Sequence, residues 1–457
     1  MKVEKTAIEG VLVLTPKVFE DNRGWFMEAY TTKVNELSNI DFVQDNHSLS
    51  KEKDTFRGLH FQNHPYAQSK LVRCIKGSIL DFAIDLRKNS KTYLQSISVE
   101  LSENNKQMLF IPKGFAHGFL TLTDNVEVMY KVDDLYSYNH DKSLFYLDPK
   151  LKLKLKENLI LSDKDFTAPL IEKLDSNFDV KILVTGANGQ LGYDVCRLLE
   201  KKGIDFCAAD IQDFDITDEK ATEKFVSKYE PNIIIHCSAY TAVDKAEEDQ
   251  NNCYSVNVLG TKNMVSVAKI INAKFIYLST DYIFSATDDK VINELEKPKA
   301  INYYGKTKLE GEQLALAYDK SFIVRTSWVF GKNGNNFVKT ILNLAKQKTE
   351  LQIIGDQIGS PTYTVDLAKA LVDLAFTESY GIYHITNEGF CSWFEFAEFI
   401  LDSAKIKVKL NKISTAEYNA KAKRPSNSRL SKDMLDKQKI DRLPEWKDAV
   451  LRFLKEV

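Results

Sequence analysis

Lys181-Ile-Leu-Val-Thr-Gly-Ala-Asn-Gly-Gln-Leu-Gly192 decides how this chain is read. An apolar, partly β-branched run meets glycines at 186, 189 and 192, and an amphipathic stretch, Gln190 to Lys202, follows at once. The order is strand, tight turn, helix. It suits a dinucleotide pyrophosphate: glycine lets the backbone approach the phosphates, and the helix N-terminus offers free N–H groups and a positive dipole end. The spacing is G-x-x-G-x-x-G rather than G-x-G-x-x-G, so the pattern by itself carries little. Its place is unusual too, because 180 residues precede it.

Working outward, residues beyond 180 alternate strand-like and helical runs. The strands are Lys181–Thr185, Asp205–Ala209, Asn232–Cys237, Lys274–Ser279 and Phe322–Thr326; helical patterns such as Asp218–Tyr229, Asn251–Ile271 and Lys306–Tyr318 lie between them. That grammar predicts a doubly wound, Rossmann-type α/β domain with right-handed crossovers. After about residue 330 the alternation fades, as expected of a smaller lobe over the substrate. Asp210 ends the second strand about 20 residues past the glycine turn, where a carboxylate accepts from an adenine-ribose hydroxyl and favours NADH; the other reading is a solvated turn aspartate. Tyr304 and Lys308, four apart, share a helical face, and an ammonium beside a phenol lowers its pKa for proton donation. Thr280, at a strand end, offers a hydroxyl to hold a carbonyl oxygen.

This half resembles the extended short-chain dehydrogenase/reductases, and within them the dTDP-4-dehydrorhamnose reductases. The match covers nearly all of 180–457. It is carried by Ala239-Tyr-Thr-Ala-Val-Asp-Lys-Ala-Glu247, Ser279-Thr-Asp-Tyr282, Arg325-Thr-Ser-Trp328, Gly355-Asp-Gln-Ile-Gly-Ser-Pro-Thr362 and Arg424-Pro-x-x-Ser-x-Leu430. The resemblance implies Tyr304 as general acid, Lys308 as its tuner and a ribose contact, and Thr280 as the group orienting the ketone. It also implies a nicotinamide cofactor, NADPH or NADH, lined by Gly186, Gly189, Gln190, Leu191, Gly192, Asp210, Asp215, Ile216, Ala239, Tyr240 and Thr241. Asp281 and Trp328 would touch the sugar nucleotide; Trp328 read alone is a core aromatic. Magnesium and a homodimer are implied by the resemblance only.

Residues 1 to roughly 150 read differently. Short β-type runs (Val11–Leu14, Leu71–Ile75, Ile79–Leu86, Gln95–Leu101, Met108–Ile111, Gly118–Leu122, Val126–Val132) are punctuated by Gly, Pro, Asn or Asp, which predicts a sandwich or barrel. Lys150-Leu-Lys-Leu-Lys-Leu-Lys156 alternates like an exposed strand, and a polar connector leads to Asp179. Among only seven histidines, His60 and His117 sit in such runs. A metal cupin would use H-x-H with a nearby glutamate; here the near pair is His60-x-x-x-His64 with no carboxylate just after it. Acid–base chemistry is the better reading. Inverting a carbon beside a ketone needs a base on one face, an acid on the other, and cationic donors for the enolate oxygen. His60 as base, Tyr130 as acid, Arg57 with Lys70 as stabilisers, and Asp165 as partner of His60 supply those parts.

The first half resembles the dTDP-4-dehydrorhamnose 3,5-epimerases, metal-independent enzymes of cupin fold, over about residues 2–170. The motifs are Val18-Phe-x-Asp-x-Arg-Gly24, Val43-Gln-Asp-Asn-His-Ser48, Arg57-Gly-Leu-His-Phe-Gln62, Lys70-Leu-Val-Arg73, Ile111-Pro-x-Gly-Phe-Ala-His-Gly-Phe119, Tyr130-Lys131 and Leu161-Ser-x-Lys-Asp165. The resemblance implies His60 as proton acceptor with Asp165, Tyr130 as donor and Lys70 near the keto oxygen. Arg23, Glu28, Gln44, Asn46, Arg57, His117, Asp141 and Lys164 would hold the sugar nucleotide. Asp141 stands where these epimerases commonly carry Glu, and the 142–160 stretch lacks their Trp-rich segment.

Composition bounds the rest. A chain of 457 residues exceeds one ordinary core, and we divide it at 1–178 and 179–457. With 62 basic and 64 acidic side chains and no like-charged run, nucleic-acid and membrane-surface roles have no electrostatic support. The six cysteines form no C-x-x-C pair, and no signal peptide or apolar span of about 18 residues occurs, so a cytoplasmic setting is expected. Together the halves imply consecutive steps on a dTDP-sugar: C3/C5 epimerisation of a 4-keto-6-deoxyhexose, then C4 reduction, toward dTDP-L-rhamnose. A UDP- or GDP-sugar substrate, a 3-only or 5-only epimerase, and a cofactor-sensing regulator with a cupin ligand module are the alternatives.

Overall fold

The computed structural model describes residues 1–457, which separate into two compact units, Met1–Asp179 and Val180–Val457.

The first unit is built on two antiparallel sheets. One runs in the order Lys2–Lys5, Leu12–Thr15, Met108–Ile111, Lys70–Lys76, Val126–Val132, Gln44–Ser50; the other in the order Asp141–Ser143, Phe56–Gln62, Phe115–Thr121, Ser78–Asp85, Ser96–Ser102. Their inner faces share a core, with Val72, Leu109 and Val128 from the first meeting Ile79, Ala83, Phe115 and Phe119 from the second. Side chains alternate across a strand, so register decides which residues face inward. His117 lies opposite both His60 and Ala83, which puts the two histidines on one face. At the irregularity beside them Gly58 has φ +126°, and a Cβ there would stand 2.6 Å from the Gly118 Cα.

Among the strands not expected from the sequence are two that build the site, Gln44–Ser50 and Phe56–Gln62. Both carry polar residues toward the pocket described below, and those residues spoil the apolar alternation that marks a strand. Gly118–Leu122 was expected to form a strand, but the strand begins at Phe115 and so includes His117. The expected strand at 150–156 does not form: residues 152–156 pair with no neighbour. Leu151, Leu153 and Leu155 nevertheless pack on the core while the lysines between them are exposed. Alternation there reports a one-sided apolar wall, not a ladder. Beyond it, Ser162 caps a single helical turn, Asp163–Phe166, that carries Asp165.

The second unit holds six parallel strands in the order Asp205–Ala209, Lys181–Thr185, Ile233–His236, Lys274–Thr280, Ser321–Thr326, Gly381–His384. Chain order reverses between Lys181–Thr185 and Ile233–His236, and ligands of such sheets bind outside the strand ends at that switch. Apolar clusters cover both faces. The regular alternation continues past residue 330: helix Thr364–Ala375 packs on helix Gln190–Lys202 and leads to the sixth strand, with Thr364 donating to Asp194 at 2.5 Å. Residues before this helix and after the sixth strand build a smaller lobe around Phe330, Tyr363, Phe396, Trp446 and Phe453. The helix expected over 251–271 is three pieces, Gln250–Tyr254, a π-helical turn Ser255–Gly260, and Thr261–Ile270. No helix is long and apolar enough to cross a membrane.

Candidate active sites

A cavity of about 460 Å³ opens in the first unit and is lined by Gln44, Asn46, Arg57, His60, Lys70, His117, Tyr130, Asp141, Lys164 and Asp165. Six strands and the short helix bring these residues together from across the first unit. His60 Nε2 meets Asp165 Oδ1 at 2.5 Å. Burial works against ionisation of Asp165, but hydrogen bonds from His60, Ser162 and the Gly58 amide hold its carboxyl below the usual range. Lys70 is buried, and desolvation pushes its ammonium down to about 8 against the charges of Asp141 and Asp81. Burial raises the Tyr130 phenol, opposed by Arg57. The ring of Tyr130 stands 6.0 Å from Lys70 Nζ.

Other members are held by one another. Gln44 donates to Asn46 at 2.8 Å, Arg57 donates to Ser50 Oγ at 2.9 Å, and Lys164 donates to Asp141 at 2.6 Å. So Asp141, the departure noted above, still reaches its cation. Arg23 and Glu28 are not brought to the cavity. Arg23 pairs with Asp21 at 2.6 Å on a two-stranded hairpin, Val18–Asp21 with Gly24–Met27, that exposes Phe19, Trp25 and Phe26. Sequence reading missed Asp81, which accepts from His117 Nε2 at 2.7 Å. The signal was there: an aspartate at a buried position between apolar neighbours of the strand Ser78–Asp85.

In the second unit a cavity of about 550 Å³ lies at the carboxyl ends of the parallel strands, at the switch in strand order. Gly186, Gly189, Gln190, Leu191, Asp210, Asp215, Ile216, Ala239 and Thr241 line it, with Tyr304 and Lys308 at one side. Gly186 has φ +65°, and a Cβ on Gly192 would lie 2.2 Å from the Gly186 carbonyl oxygen. Gly192 therefore serves close strand–helix packing and does not line the cavity. Gly189 caps helix Gln190–Lys202 without a side-chain acceptor, leaving the first amides for a ligand. The turn thus fits a dinucleotide pyrophosphate. Asp210 accepts from the Asn188 and Ile211 amides at 2.9 and 2.8 Å, so it shapes the turn and also borders the cavity. Tyr240 lies off the cavity, its amide donating to Asn257 Oδ1 at 2.8 Å.

Tyr304 and Lys308 share a face of helix Tyr303–Leu316. Burial raises the Tyr304 phenol well above its ordinary range, and a hydrogen bond with Thr280 opposes the rise. Desolvation brings Lys308 itself down to about 7, with Glu312 one turn on resisting. Thr280 also donates to Asp281 Oδ1 at 3.1 Å. Asp281 is buried and raised to about 6, mainly by desolvation, while Ser428 donates to its other oxygen at 2.6 Å. Trp328 lies off the cavity, stacked on Trp393 with ring centroids 3.6 Å apart. Sequence reading also missed Asn257 on the π turn, which donates to Thr307 Oγ1 at 3.0 Å, and the buried Glu312–Arg325 pair at 2.5 Å.

Residues 180–457 match the family described as RmlD substrate binding domain, and residues 5–173 match dTDP-4-dehydrorhamnose 3,5-epimerase. The dTDP-4-dehydrorhamnose reductase of Aggregatibacter actinomycetemcomitans is 42% identical over 262 residues, which is 54% of this chain and 89% of that protein. The dTDP-4-dehydrorhamnose 3,5-epimerase of Shigella flexneri is 47% identical over 169 residues, 36% of this chain and 93% of that protein. A solved dTDP-4-dehydrorhamnose reductase from Bacillus anthracis, in complex with NADP, is 41% identical, with a TM-score of 0.60 over 61% of this chain and 99% of that one. The chain belongs to the dTDP-4-dehydrorhamnose reductase family through residues 180–457, joined in one polypeptide to a domain of the dTDP-4-dehydrorhamnose 3,5-epimerase family through residues 5–173.

Proposed function

We propose that this chain is a bifunctional enzyme of dTDP-L-rhamnose biosynthesis. Its first unit, a cupin-type barrel, epimerises dTDP-4-dehydro-6-deoxy-D-glucose at C3 and C5; its second, a Rossmann-type reductase, reduces the C4 ketone of the product with NAD(P)H. We take 1–178 and 179–457 as the two domains. The observation that carries the reading is the pairing of His60 with Asp165 in the same cavity as Tyr130 and Lys70, in a chain whose other unit holds Thr280, Tyr304 and Lys308 beside a dinucleotide cavity.

In the first site His60 takes a proton from carbon beside the ketone, and the electron pair moves onto the C4 oxygen. Asp165 fixes the imidazole and answers its new charge. Lys70 and Arg57 steady the enolate, and Tyr130 returns a proton to the opposite face. Asp141, Lys164, His117, Gln44 and Asn46 hold the sugar nucleotide. No metal is needed for these steps.

In the second site, NADPH or NADH supplies a hydride when bound. Tyr304 gives its phenolic proton to the C4 oxygen, Thr280 orients the ketone, and Lys308 steadies the phenolate. Asp281 holds a sugar hydroxyl, and Trp328 borders the sugar side of the lobe. The cofactor turn supports a nicotinamide dinucleotide; Asp210 supports NADH alongside NADPH. Magnesium remains a family expectation to which no acidic cluster corresponds, since no group of three or more His, Cys, Asp or Glu side chains converges. A homodimer is supported by the exposed aromatic hairpin 18–27. Intact Thr280, Tyr304 and Lys308 speak against the sensor reading.

The test supplies dTDP-4-dehydro-6-deoxy-D-glucose in D2O with and without NAD(P)H. Deuterium is expected at C3 and C5 without cofactor, and cofactor oxidation once it is added. Oxidation without prior exchange at C3 and C5 overturns the sequential scheme.

A further inference from the structure

Three neighbouring strands of the first unit place two histidine–carboxylate pairs on one wall. His117 stands opposite His60 on one strand and Ala83 on the other; Asp81 is two residues from Ala83 and so faces the same way. The pairs differ in setting. His60 is a third exposed at the cavity rim, whereas the His117 and Asp81 side chains are 7% and 0% exposed. Asp81 Oδ1 takes His117 Nε2 at 2.7 Å, but Asp81 Oδ2 is buried with no hydrogen-bond partner. A carboxylate so placed is costly unless a nearby cation answers it. Lys70, buried on the cavity wall, is a cation that feels the Asp81 charge as well as that of Asp141.

We propose that Asp81 is a positioning residue for proton transfer in the first site: it fixes His117 as the tautomer with hydrogen on Nε2 and keeps Lys70 in its ammonium form. His117 then turns an Nδ1 lone pair to a substrate hydroxyl, and Lys70 offers a full charge to the enolate oxygen. The inference rests on the epimerase reading. The charged and titratable groups around it are few. Lys70 feels Asp141, Asp81 and Lys164, lies 6.0 Å from the Tyr130 ring, and donates to the His60 carbonyl at 3.4 Å. His117 feels Asp81, Lys70 and His60. Asp81 is also felt by the Cys74 thiol, which burial keeps protonated. Burial brings Lys70 down to about 8, so the loss of one neighbouring carboxylate falls where the lysine titrates. A tie that merely held two strands together would not move that titration.

The test measures C3/C5 deuterium exchange against pH in the full-length chain, without NAD(P)H. Asp81→Asn is expected to move the alkaline limb down by about one pH unit and to slow exchange at pH 8 by about fivefold. In a Lys70→Arg background the guanidinium does not titrate in this range, and the same substitution is expected to leave the limb in place. A limb that stays put in Asp81→Asn overturns the inference, even if the rate falls equally at every pH. Independently of any variant, 15N NMR of imidazole-labelled wild type should show His117 protonated at Nε2; hydrogen on Nδ1 overturns the tautomer. Wild type that exchanges no deuterium overturns the epimerase reading itself, a result distinct from exchange with an unmoved limb.

Discussion

The two cavities solve a similar electrostatic problem with different materials. Each buries a lysine beside a phenol: Lys70 with Tyr130, and Lys308 with Tyr304. In each, burial is the main force pulling the lysine down, to about 8 and about 7, and one or two carboxylates resist. The first site is assembled almost wholly from side chains on strands distant in sequence. The second is assembled from backbone at the ends of parallel strands, with one helix adding Tyr304 and Lys308 at fixed spacing. Side-chain sites depend on register; backbone sites depend on the turn.

The largest expected effects separate the two. Tyr304→Phe should lower cofactor oxidation by about 10²–10⁴-fold and leave deuterium exchange intact, whereas His60→Ala should lose exchange by a similar factor. Because reduction follows epimerisation, His60→Ala should regain oxidation when dTDP-4-dehydro-L-rhamnose is supplied directly. Loss of both activities in Tyr304→Phe would break the division of labour. Next in size, Asp165→Asn should slow exchange by about 10²-fold through a mis-set imidazole tautomer, with reduction of pre-epimerised substrate unchanged.

Gly186→Ala strikes the backbone site. Its φ is +65°, and the added Cβ would stand 2.7 Å from the Ser238 amide nitrogen. Cofactor affinity, measured by fluorescence titration, should fall at least tenfold, about 1.4 kcal/mol, with exchange untouched. The smallest effect is a difference in pH dependence. Both lysines have depressed values, so each loses its ammonium as pH rises through the buried value. Reduction should therefore decline above about pH 7 and exchange only above about pH 8, read from the two rates in one buffer series. Coincident alkaline limbs would deny the lysines their separate roles.

Legibility followed the same division. The glycine turn, Asp210 and the Tyr304/Lys308 spacing are local patterns, and the cavity forms around them. In the first unit, His60, Lys70, Tyr130 and Asp165 were named from the parts that acid–base chemistry needs and from motif resemblance, since no spacing relates residues 60 and 165. Strands Gln44–Ser50 and Phe56–Gln62 escaped because their inward side chains are polar, and the sixth parallel strand escaped behind the aromatic lobe. The lysine–leucine alternation at 150–156 misled in the other direction, because sidedness does not require a hydrogen-bonded neighbour.

The sequence by itself determined the order of the two units, the chemistry each carries, and the turn that cradles a dinucleotide, because these rest on short-range spacing and residue type. Tertiary structure alone decided which carboxylates reach which bases. It set Asp81 against His117, Ser428 against Asp281, and Arg23 away from the cavity. The reason is register and burial: a hydrogen bond across 36 or 147 positions exists only once strands are paired and water is excluded, and no local pattern encodes either.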